Sequence, residues 1–97
     1  MVVTLKTLRE RREAILKIAS KHGASNVRVF GSVARGESDA ASDVDFLVDF
    51  DPKKSLFDLG ALLVDLQDLL EVEVDVVPED WMRPQVRELA MQDVVPL

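Results

Sequence analysis

The stretch from Gly31 to Asp45 limits what this chain can be more than any other. Gly31-Ser32-Val33-Ala34-Arg35-Gly36 is a small, polar turn, and Ser42-Asp43-Val44-Asp45 follows it closely. Apolar, β-rich segments stand on either side. Asp43 and Asp45 are two residues apart on a strand, so their carboxylates leave one face about 7 Å apart at Cα. Asp75 projects from a neighbouring strand segment and can complete the cluster. Three carboxylates held together are costly unless a cation neutralises them. Mg²⁺, which prefers carboxylate and phosphate oxygens, suits such a set. Two aspartates on a strand, taken alone, most simply form a solvated outer face. The turn before them changes that reading. Gly31 lets the backbone bend sharply and approach a phosphate closely. Ser32 adds a hydroxyl and a backbone N–H. A short helix at 32–36 presents further free N–H groups to an anion. Arg35 either binds phosphate or braces the loop through a carboxylate such as Asp43.

Composition excludes several alternatives. The chain has 97 residues, which fits one domain over 1–97 with a single modest core. It has no cysteine and one histidine, His22, which leaves neither a disulfide framework nor a zinc site. No apolar run approaches the roughly 20 residues that span a bilayer, and the N-terminus has no signal-peptide pattern. The expectation is a soluble, cytoplasmic protein that does not engage membrane. Net charge is −6, and it is unevenly spread. Residues 1–36 hold eight Lys/Arg against two Asp/Glu, whereas residues 37–97 hold four against sixteen. That acidic excess argues against nucleic acid as a broad-surface partner.

Periodicity supplies the elements. Thr7-Leu8-Arg9-Glu10 fits a capping box, and Leu8, Ile15, Ile18, Ala19 and His22 mark one face of a helix at about 7–22 that stops at Gly23. Residues 26–30 and 43–50 alternate as strands. In the second, Asp43, Asp45, Leu47 and Asp49 share one face, with Val44, Phe46, Val48 and Phe50 on the other. Ser55 can cap a helix at 56–70 with Asp58 at its third position. Its apolar stripe is Leu56, Leu59, Leu63, Leu66 and Leu70. A third strand at 72–77 turns Val72, Val74 and Val76 inward and Glu73 and Asp75 outward, and Pro78 ends it. Pro84 suits the first turn of a last helix at about 84–92, with an apolar edge of Val86, Leu89 and Ala90. Val94–Leu97 is a short apolar tail that either packs back or meets a partner. The result is an α/β (α+β) chain in the order α-β-α-β-α-β-α, with a small mixed sheet of about three strands.

The run Phe30-Gly31-Ser32-Val33-Ala34-Arg35-Gly36-Glu37, then Ser42-Asp43-Val44-Asp45-Phe46-Leu47-Val48, resembles the signature of the nucleotidyltransferase superfamily that includes DNA polymerase beta. The short length resembles its minimal nucleotidyltransferase branch, often the antitoxin partner of a HEPN-domain ribonuclease toxin. The resemblance implies a polymerase beta-like fold. It implies that Gly31 and Ser32 hold triphosphate oxygens, that Asp43 and Asp45 hold one or two Mg²⁺ ions, and that Asp75 is a third ligand or the base for the incoming hydroxyl. Ser42 would steady the Asp43 backbone. ATP as substrate, in preference to other triphosphates, comes from the resemblance alone.

Three functions follow as expectations. The first is a nucleotidyltransferase that moves AMP from ATP to a hydroxyl on a partner protein, a tyrosine of a HEPN toxin, and so acts as an antitoxin. A chain this short is expected to lack its own acceptor-binding domain, which fits an acceptor brought by another protein. The second is a non-catalytic antitoxin that neutralises by binding. The third is a transferase acting on a small molecule or an RNA end. The acidic helix 56–70 and the apolar tail 94–97 are the candidate partner surfaces.

Overall fold

The computed structural model describes residues 2–39 and 43–97. Its elements run α1 (Leu5–Glu10), α2 (Arg12–Lys21), β1 (Ala24–Phe30), α3 (Gly31–Arg35), β2 (Val44–Phe50), α4 (Leu56–Leu70), β3 (Val74–Pro78), a 3-10 turn at Glu79–Trp81, α5 (Pro84–Asp93) and β4 (Val95–Pro96). The sheet order is β3-β2-β1-β4. β1 pairs antiparallel with both β2 and β4, and β2 pairs parallel with β3. The mixed sheet therefore has four strands rather than three. The fourth is the tail: Val95 pairs with Val29, and Leu97 is buried. The tail thus packs back on the sheet and covers the outer edge of β1.

The N-terminal helix differs from its expected form. Thr4, not Thr7, is the cap; its hydroxyl oxygen accepts from the Thr7 N–H at 3.2 Å. Val3 and Leu8 then occupy the two positions of a hydrophobic staple, and both enter the same core. That pairing is the signal that favours the earlier start. The helix is also stepped at Arg11, whose side chain donates to the Leu69 carbonyl at 3.0 Å at the end of α4. Leu8 and Ile15 are fully buried on either side of the step.

In α4, Ser55 caps as expected, and the Asp58 carboxylate accepts from its N–H at 2.8 Å and its hydroxyl at 3.1 Å. These bonds hold the Asp58 carboxyl below the usual carboxylate range. The buried face is Leu62, Leu66 and Leu70, flanked by Leu59, Leu63 and Leu69. Leu56 is 70% exposed and does not belong to it. Each fully buried leucine contributes on the order of 1.5–3 kcal/mol. Together with Leu8, Ile15 and Ala19 they cover Val44, Phe46 and Val48, the expected inner face of β2. His22 ends α2 and meets Asp65 of α4 at 2.6 Å, which ties the end of α2 to α4.

The opposite face of the sheet is not simply solvated. Leu47 lies fully buried between Asp45 and Asp49, because the 3-10 turn packs on β2. An ionic network ties this cover down. Arg28, opposite Leu47 in register, donates to Asp49 at 2.8 Å and, at very short range, to Glu79. Arg87 of α5 reaches Glu79 at 3.1 Å. Trp81 sets its ring edge-on to Phe50, with centroids 6.0 Å apart.

The hydrogen bond from Arg28, supported by Arg87, holds the Glu79 carboxyl below its ordinary range. Its contribution to stability is present above that ordinary range and is lost as pH falls through the lowered value. Arg28→Leu should therefore cost about 1 kcal/mol at pH 7, a modest figure because the Asp49 end is half-exposed and screened. That corresponds to a Tm lower by about 4–8 °C. Thermal melts against pH should show the gap closing below about pH 4; a constant gap would mean that lost packing, not charge, explains it.

Candidate active site

Backbone register builds this site. Phe30, the last residue of β1, pairs with Asp45 on β2, and Asp45 pairs with Asp75 on β3. The chain must then leave β1 directly beside the Asp45 side chain. It does so at Gly31, which has φ 76° and begins α3. A Cβ there would stand 3.3 Å from Asp45 Cγ and nearer still to Oδ2. Glycine is needed twice over, for the left-handed backbone and for the space the carboxylate takes. The expected short helix is present, and Gly36, at φ 74°, closes it with a left-handed cap.

Asp45 is half-buried, while Asp43 and Asp75 are exposed. Burial, then the charges of Asp75 and Asp43, push the Asp45 carboxyl above the usual carboxylate range; Arg35 pulls weakly the other way. The three expected carboxylates are thus close enough to act on one another. Among the described residues, no three acidic or histidine side chains form a ready-made metal cage.

Ser32 lies beside Gly31 in α3, half-buried. Ser42 lies outside the described residues. Arg35 departs from the suggested bond to Asp43. Its Nε donates to Glu37 and its Nη1 to Asp93, each at 3.0 Å. The bonds from Glu37 and then Asp93 raise the pKa of its guanidinium further above its ordinary value. Arg35 thereby joins α3 to the end of α5. Sequence reasoning missed Asp93 because its partner lies 58 residues away; no local pattern marks the pair.

The raised Asp45 pKa has a definite sign for stability. Without a cation, ionising Asp45 costs the folded state more than the unfolded chain. The penalty grows as pH rises from the ordinary carboxylate range through the raised value, and is complete above it. Asp45→Asn should therefore melt higher than the parent chain at pH 7 in EDTA, by about 4–8 °C for each kcal/mol relieved. The two should converge near pH 4, and equal Tm values at pH 7 would refute the repulsion. Gly31→Ala should do the opposite. It should lose about 1–2 kcal/mol from the left-handed backbone alone, with more from the Asp45 collision, read by urea unfolding.

The chain is similar to known proteins over most of its length. The family model for the nucleotidyltransferase domain matches residues 9–96. MJ0435 of Methanocaldococcus jannaschii, provisionally named a protein adenylyltransferase, is 36% identical over 88 residues, covering 91% of this chain and 95% of its own. The protein adenylyltransferase MntA of Thermococcus cleftensis is 34% identical over 79 residues, covering 81% and 80%. A solved structure described provisionally as a minimal nucleotidyltransferase superposes with a TM-score of 0.86 at 47% identity, over 98% of this chain and 97% of that one. A toxin–antitoxin crystal structure with AMP-PNP shares the fold, with a TM-score of 0.76 at 19% identity, over 87% of this chain and 69% of that one. With the glycine turn, Asp43 just before β2 and Asp45 within it, and the matched family model in agreement, the chain belongs to the nucleotidyltransferase domain family.

Proposed function

We propose that this chain is a Mg²⁺-dependent protein adenylyltransferase that moves AMP from ATP to a tyrosine hydroxyl on a HEPN-domain toxin, and so acts as an antitoxin. The observation that carries the reading is the contact between Gly31 and the Asp45 carboxylate, with Asp45 in register with Asp75. A backbone that approaches a polyphosphate closely thereby abuts the acidic cluster. The names of MJ0435 and of the Thermococcus MntA support protein as the acceptor class.

In this reading Gly31 and Ser32 hold triphosphate oxygens, and Asp43, Asp45 and Asp75 form the metal donor set. Mg²⁺, when bound there, supplies neutralisation of phosphate charge and of the three carboxylates. The acceptor oxygen bonds to the α-phosphorus as the bond from that phosphorus to the bridging oxygen of pyrophosphate breaks. Asp75 accepts the hydroxyl proton. Its exposure on β3, an outer strand of the sheet, supports that role, since an acceptor on another protein must reach it. Arg35, held by Glu37 and Asp93, braces α3 behind the triphosphate. The chain contributes mainly position and electrostatics.

The test uses the chain, ATP labelled on the α-phosphate, Mg²⁺ and the protein encoded beside it. Intact mass should show adenylyl groups on that neighbour, and Asp43→Asn with Asp45→Asn should abolish them, a loss of at least 100-fold in rate. A stable silencing complex without label would favour neutralisation by binding. Neither label nor complex would favour a small-molecule or RNA acceptor.

A further inference from the structure

Gly31 also lines a groove of about 390 Å³ between α3 and α5. Small-molecule sites begin at about 300 Å³, so it can take a compact ring system. Its walls are Phe30, Val86, Leu89 and Ala90, and its polar end is Arg35, Gln92 and Asp93. Val86 is 51% and Leu89 64% exposed, three residues apart on α5, an aliphatic pair that the fold leaves uncovered. Arg35 and Asp93 are committed to each other, which leaves Gln92 as the polar side chain of the lining outside an ion pair.

We infer that this groove holds the nucleobase of the bound triphosphate, and that Gln92 reads its edge; the inference rests on the nucleotidyltransferase reading above. The groove shares Gly31 with the proposed triphosphate cradle, so a nucleotide held there need only extend its ribose to bring the base between α3 and α5. Its aliphatic and aromatic walls suit a flat ring and would leave a polyphosphate without partners. Strand order separates it from the acceptor. Asp75 lies on β3, across β2 from β1, whereas α5 packs against α3 and β1. Acceptor and base thus flank the contact between Gly31 and Asp45 from different sides. A glutamine amide carries both N–H donors and a carbonyl acceptor, so it can hydrogen-bond the polar edge of a base.

Calorimetry with Mg²⁺ tests this on the full chain, using ATP and inorganic tripolyphosphate as ligands. Val86→Ser with Leu89→Ser alters two half-exposed positions, and an unchanged Tm verifies the fold. This variant should bind ATP at least 10-fold more weakly than the parent chain and tripolyphosphate equally well. Gln92→Leu should bind ATP several-fold more weakly than the parent chain and tripolyphosphate equally well. Unchanged ATP affinity in the double variant, with ATP still bound more tightly than tripolyphosphate, would overturn the groove and leave the cradle standing. Unchanged ATP affinity with slower transfer to a protein would give the groove to the acceptor and overturn the inference. Unchanged ATP affinity in Gln92→Leu would overturn the role of Gln92. A parent chain that binds neither ATP nor tripolyphosphate would overturn the cradle, and the groove assignment with it.

Discussion

The contact between the Gly31 backbone and the Asp45 carboxylate is the constraint on which the rest of the structure depends. It exists because β1 and β2 pair with Phe30 opposite Asp45, so the chain must turn beside that side chain. It is tolerable because residue 31 has no Cβ. It is useful because the same register sets Asp75 on the far side of Asp45. One hydrogen-bonding pattern therefore brings together three positions scattered over 45 residues. The price is a carboxylate pressed into a partly desolvated place beside the charges of two others.

The two faces of the sheet meet different demands. One is apolar and covered by α2 and α4, the ordinary route to stability for a chain of this size. The other must keep its carboxylates reachable and still be held rigid. It is held by the ionic links among Arg28, Asp49, Glu79 and Arg87, which tether the 3-10 turn and α5 over the middle of the sheet. Arg35 and Asp93 tether the other end of α5 to α3. Cover thus begins just past Asp45, over Leu47, and leaves Asp43 and Asp75 exposed.

Much of this was legible in the sequence, for reasons that vary by element. The strand read at 43–50, observed at Val44–Phe50, and the helix at 56–70 were readable because alternation and a capped leucine repeat are local signals. The Gly31–Gly36 turn was readable because left-handed backbone selects glycine. The start of α1 was misread because Thr7-x-x-Glu10 and Val3-Thr4…Leu8 both fit capping patterns, and burial of Val3 decides between them. Leu56 was assigned inward because spacing alone cannot set the rotation of a leucine-rich helix against its core. The tail was left open between two fates, and pairing with β1 settled it.

The sequence alone determined the chemistry available: which residues carry carboxylates, where the backbone can bend, and which segments favour strand or helix. These depend on side-chain type and short-range spacing, which a linear string records in full. Only the tertiary structure decided what those residues do to one another. It set Asp45 against Gly31, gave Arg35 to Asp93 rather than Asp43, tied Asp65 to His22, and left Val86 and Leu89 facing a groove. The physical reason is that pairwise energies among charges and apolar surfaces depend on distance and burial. Both are properties of register and packing between segments far apart in the chain.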